Sequence, residues 1–154
     1  MSGFKNWDDS EEVEGVGRVN EAGEILEEDA ETPAPQLVYG NVSEFFREFL
    51  RHAYKRVLTG RQEPFWDPEW WRHDEAVMRL ESLWRSWEHL RTDGATGTSV
   101  WWRDHADHHM PKLMAGDGPF GASDVKTSRG EPLPHTEPPE GLFIDERQRE
   151  AAHD

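Results

Sequence analysis

The chain contains no cysteine, which excludes disulfides and thiolate metal sites and leaves only His, Asp and Glu to hold a metal. Nowhere does it run to the roughly 18 apolar residues of a membrane span. Its opening stretch, "MSGFKNWDDSEEVEG", has neither the basic nor the apolar region of a secretory leader. Hydrophobic residues are scarce as well, at 34% of the chain. With so little apolar material, much of the 154 residues cannot lie in a core, and the folded part is expected to be smaller than the whole. No Gly-x-Ser-x-Gly elbow and no phosphate loop occurs. These absences point to a soluble, cytoplasmic protein that needs no cofactor, unless His and carboxylate side chains gather a divalent metal.

Charge of one sign dominates, with a formal net charge of −15, but unevenly. Residues 1–36 carry eleven Asp and Glu against two Lys and Arg, and residues 121–154 carry eight against four. The middle, 37–120, has thirteen against eleven. The first segment combines low hydrophobicity with high charge and cannot bury enough surface to offset its conformational entropy, so a disordered acidic arm is expected there. Trp7, Ile25 and Leu26 are candidate anchors within it. The last segment is proline-rich and then charged. It reads as an extended strap of weak order, with Leu133, Leu142, Phe143 and Ile144 able to dock and a frayed helical turn at the end.

Between these ends the pattern is helical. In "NVSEFFREFLRHAYKRVLTG", Phe45, Phe49, Ala53 and Val57 form one row at spacing four, and Phe46, Leu50, Tyr54 and Leu58 form the row beside it. Asn41 or Ser43 can cap the start, and Gly60 fits the position after the end. Arg47, Arg51 and Lys55 make a basic row away from this stripe, with Arg56 and Arg61 nearby. Asp67 followed by Pro68 signals a short helical turn. A long helix is expected from about His73 or Asp74 to the stop "TDG", with Ala76, Val77, Leu80, Leu83, Trp84, Trp87 and Leu90 as its buried stripe. A third helix is expected from Ser99. There Pro111 should bend or restart the chain, since an internal proline removes a hydrogen bond, with Asp107 as the new cap.

The densest chemistry lies in "VWWRDHADHH" (residues 100–109). On a continuous helix His105 and His109 would share a face, with His108 close by, as in half of a zinc site. His73 or Glu75 could complete it, and Glu75 could activate a metal-bound water in a hydrolase. The same residues have a structural reading, in which His73 and His105 tie helix ends to the aromatic core. That core is expected to hold Trp70, Trp71, Trp84, Trp87, Trp101 and Trp102, each indole seeking one acceptor. The rival reading of these tryptophans is a stacking platform for single-stranded nucleic acid beside the basic helix face, a reading that the acidic balance opposes.

The segments "WDPEWWRHDEAVMRLESLWRSWEHLR", "SVWWRDHADHHMPKLMAGDGPF" and "PPEGLF" together resemble the domain of unknown function 4913 family of actinobacteria and their plasmids, integrated elements and phages. The resemblance covers roughly residues 38–143. It implies a helical cytoplasmic protein of a mobile element and carries over no catalytic residue. Where this chain has Asp74 and His108 the family pattern often has proline, and where it has "GAS" after Gly-Pro-Phe the pattern often has cysteine, so the resemblance lends no role to His108 or to a thiol. The combined expectation is an all-α domain (residues 37–120) of three main helices and short turns, between an acidic arm and a proline-rich tail. It is read as an accessory protein binding a protein partner through Arg47, Arg51, Lys55 and Arg56 or through an acidic arm, with metal-dependent hydrolysis and nucleic-acid binding as alternatives.

Overall fold

A computed structural model describes residues 36–151. The acidic arm expected at residues 1–36, with Trp7, Ile25 and Leu26, lies outside the described residues except for Gln36. Among the described residues four helices form, α1 (residues 42–53), α2 (Asp74–Leu90), α3 (residues 97–114) and α4 (Glu146–Ala151), with a 3₁₀ turn at Trp70–Arg72. No β-strand forms among the described residues. The fold class is therefore all-α, as the apolar spacing requires.

Helix α1 starts where Asn41 turns extended and its Oδ1 accepts the Glu44 amide at 2.9 Å. It is short. One α turn (Val42–Phe45), one π turn (Phe46–Leu50) and a last α turn (Arg51–Ala53) complete it. The helix expected to reach Gly60 thus stops at Ala53, and Tyr54 leaves with φ −115° and ψ 70°. Residues four apart share a side in a helix and equally in an extended chain, so Tyr54 and Leu58 stay buried although neither is helical. Ala53 and Val57 do not keep to the core and are exposed. Gly60 has the expected positive φ, 70°, but in a loop where the Asp124 backbone approaches too closely for a β carbon.

Helices α2 and α3 form an antiparallel hairpin. Its seam runs from Leu90 beside Gly97, through Leu83 O, which accepts the Trp101 indole at 3.0 Å, to Arg79 beside His109. A side chain at Gly97 would collide with the Leu90 carbonyl, so glycine permits the close approach at the turn. Pro111 does not break α3, contrary to expectation: the helix passes through it to Met114, and Asp107 is an ordinary helical residue rather than a cap. The irregularity lies one turn earlier, at the π turn Trp102–Ala106, where the Asp107 amide reaches back to Trp102 O. Asp107 and Pro111 are both exposed, so the bond that proline omits is lost on the side facing water.

The strap after Phe120 runs antiparallel to residues 51–60 and completes the core. Thr127 N donates to Leu58 O at 3.0 Å, and Leu133 N donates to Arg51 O at 3.1 Å, filling one of the carbonyls that the end of α1 leaves open. Thr136 N then bonds Pro68 O at 3.0 Å, and Glu146 N bonds Gly40 O at 2.8 Å. Leu133 is 0% exposed among Phe46, Leu50, Trp66 and Trp70 in one continuous core, and Phe143 packs half-buried on it. Leu142 (49% exposed) and Ile144 do not dock. Leu133→Ala should lower unfolding stability by about 2–5 kcal/mol in urea denaturation, the range for a buried leucine. Leu142→Ala should change it by less than about 0.5 kcal/mol.

Candidate functional site

The residues proposed for a metal separate into two places. His73 caps α2 and its Nε2 lies 2.9 Å from Asp67 Oδ2, with its ring edge-on to Phe120 at 5.2 Å. Asp67 also accepts the Glu69 amide at 2.9 Å, so one carboxylate holds both the 3₁₀ turn and the start of the long helix. Glu75 and His109 do meet, but around a cation: Arg79 Nε donates to Glu75 Oε2 at 2.9 Å and Nη1 donates to His109 Nδ1 at 3.0 Å. A guanidinium between two would-be ligands repels a metal ion. His105 is half-buried on the π turn. Among the described residues no three His, Asp or Glu converge in a way that could hold a metal. His73, Glu75, His105 and His109 are thus not gathered as one site.

The tryptophans of the expected core divide by depth. Trp70, Trp84 and Trp101 are fully buried, while Trp71, Trp87 and Trp102 pack at its margin. Trp66, absent from the expected set, is as buried as any of them, stacked on Phe46 at 5.3 Å and edge-on to Phe120 at 4.7 Å. Its position before a proline turn hid it, because no helical period includes it. The Trp71 indole donates to Thr136 O at 2.9 Å. Among the described residues no indole is left as an exposed stacking face on the scale that single-strand binding uses.

Two polar anchors went unread in the sequence. Glu88, 7% exposed, accepts the amides of Val38 at 2.8 Å and Tyr39 at 3.1 Å and the Arg91 Nε at 3.1 Å, clamping the entry of the chain to α2. His135 has a side chain 4% exposed, between Phe46 and Trp70. The Trp70 indole donates to its Nδ1 at 3.1 Å. That fixes a neutral ring with the proton on Nε2, which reaches Glu137 Oε1 at 3.2 Å. Both were legible only as a polar residue in a helix and a histidine in a tail, since their partners lie 49 to 65 positions away.

The basic face is rearranged rather than lost. Arg47 is taken up by Glu48 and Glu137, and Arg51 Nε donates to Leu133 O at 2.9 Å. Lys55 and Arg56 lie beyond the helix, on the extended segment facing the strap, and are exposed with Arg61, Lys126 and Arg129. Thr127 stitches that pair of segments: besides its amide, its Oγ1 donates to Arg56 O at 2.7 Å and accepts from Leu58 N at 2.9 Å. Arg72, Arg79, Arg85, Arg91, Arg103 and Arg147 each have a carboxylate partner. Among the described residues Lys55, Arg56, Arg61, Lys126 and Arg129 have none.

The architecture so assembled from the described residues is a helical hairpin with two shorter helices and an extended strap, presenting a basic ribbon. The chain belongs to the family described as "Domain of unknown function (DUF4913)", whose model matches residues 39–140. No curated protein and no solved structure matches it. No helix among the described residues is long and apolar enough to cross a membrane.

Burial, and the positive charges of Arg51 and Arg47, push the His135 imidazole below its ordinary value of 6.5 against the pull of Glu137. The unfolded chain therefore takes up this proton first, and the folded state loses stability as pH falls below about 6.5, regaining it as pH rises. Denaturation midpoints measured from pH 7.5 downwards should fall more steeply for the native protein than for His135→Gln, whose amide oxygen can accept the Trp70 proton without titrating. Equal slopes would deny the histidine this part.

Proposed function

We propose that this protein is a non-catalytic binding module whose contact surface is the ribbon of Lys55, Arg56, Arg61, Lys126 and Arg129, and that its partner is a protein presenting an acidic segment. The observation that carries this reading is that these five side chains are exposed along a hydrogen-bonded backbone pair and form no ion pair among the described residues, whereas Arg47, Arg72, Arg85, Arg91, Arg103 and Arg147 each face a carboxylate. Exposed like charges along neighbouring segments repel one another and are relieved by an anionic partner. A short acidic protein segment is favoured over a nucleic acid because the whole chain carries −15 and repels a long, densely charged phosphate backbone more strongly than a few carboxylates. The absence of cysteine suits the reducing cytoplasm, and the setting suggested by the family resemblance, actinobacterial plasmids and phages, suits an accessory protein of a mobile element.

Replacing the five cations with Gln should leave the fold intact, since among the described residues none takes part in an ion pair, and should reduce capture of the partner from host extract by tenfold or more. Capture by the native chain should persist after nuclease treatment and be reversed by salt. If nuclease abolishes it, the partner is nucleic acid; if the five-fold variant captures the same protein equally, the ribbon is not the contact surface.

A further inference from the structure

The stretch that suggested a metal builds a different kind of site. Along α2, Glu75, Met78, Arg79 and Ser82 follow at three and four and face the solvent edge of the hairpin, where with His109 of α3 they line a cavity of about 390 Å³. That is within the size range of small-molecule sites. Its floor is apolar for a reason visible in the chain: Met78 is 71% exposed in the middle of a charged helix, although a polar residue there would cost the fold nothing.

One end of the cavity carries an arginine already paired with one carboxylate. Arg79 is half-buried and has its Nε on Glu75 and Nη1 on His109, and among the described residues its Nη2 makes no hydrogen bond. Because a guanidinium only donates, His109 Nδ1 accepts and the neutral ring keeps its proton on Nε2, a second available donor. His105 stands four residues before His109 and Lys112 three after, and the His108 ring lies edge-on at 4.9 Å. Burial holds His109 below its usual value, and His108, Arg79, His105 and Lys112 add to the effect. Among the described residues Glu75 is the one carboxylate bonded there. The π turn at Trp102–Ala106 sits directly upstream, and such turns concentrate at functional positions because they re-aim side chains.

From this arrangement we infer that the cavity between α2 and α3 binds a small organic acid, its carboxylate held by Arg79 and His109 and its apolar body laid along Met78. The two donors match the two oxygens of a carboxylate. Inorganic phosphate satisfies the donors but leaves Met78 and the apolar wall uncovered, and a neutral ligand leaves Arg79 short of an acceptor. The inference is independent of the basic ribbon, which lies on other segments.

The test is a titration of the full-length, isotope-labelled protein with hexanoate, hexanol and inorganic phosphate in parallel, observed through the imidazole resonances of His109 and the methyl group of Met78. Hexanoate should shift both in a saturable way, at least tenfold more tightly than either control. His109→Gln, whose amide oxygen can still accept from Arg79, and Met78→Ser, at an exposed position, should each weaken hexanoate by several fold while the rest of the spectrum stays native. Absence of a saturable shift with hexanoate overturns the site. Phosphate binding as tightly as hexanoate overturns the organic acid in favour of a simple anion, and hexanol binding as tightly removes the role of Arg79.

Discussion

Of the several hydrogen bonds that hold the strap to the helical part, the one from the indole of Trp70 to Nδ1 of His135 ties it to a fully buried side chain of the core. Three helices of this length cannot enclose a core containing Trp66, Trp70, Trp84 and Trp101, because small domains bury too small a fraction of their surface. The open side lies between α1 and the 3₁₀ turn, and the strap closes it with Leu133 and the His135 ring. The same strap supplies the amide of Leu133 to the end of α1, so the helix stops where the strap begins to pair. Its early end at Ala53, the extended run that follows and the displacement of Lys55 and Arg56 from the helix are one event.

That event explains what could be read in advance. The long helix declared itself, because its apolar stripe keeps one period over seventeen residues and proline, aspartate and glycine punctuate both sides. The first helix did not, because Phe46, Leu50, Tyr54 and Leu58 repeat at four, a spacing that suits a helix and an extended chain alike. Proline at 111 suggested a break and caused none, since the omitted bond falls on the solvent side. Trp66, Glu88 and His135 carry no local pattern at all. Each is defined by a partner far along the chain, and single-sequence periodicity does not reach that far.

The candidate site was visible as composition and misread as chemistry. Histidines at spacing four next to acidic residues suggest a cation as ligand, yet the facing helix brings Arg79 into their midst and reverses the sign of the charge they favour. The basic residues of the first helix likewise separated into two kinds once neighbours were known: Arg47 and Arg51 hold the strap, and Lys55 and Arg56 remain exposed with Arg61, Lys126 and Arg129. Chemistry in this protein is therefore assigned by what each charge is paired with, and only a fold supplies the pairs.

The central claim is that the strap belongs to the core of the fold. Amide hydrogen exchange at Leu133, compared with the indole proton of Trp70 and the amides in the middle of α2, tests it most directly. If the account is right, the Leu133 amide and the Trp70 indole exchange as slowly as the centre of the long helix, through global unfolding alone. Exchange at both sites near the rate of an open chain, while α2 stays protected, would contradict it and reduce the strap to a surface attachment.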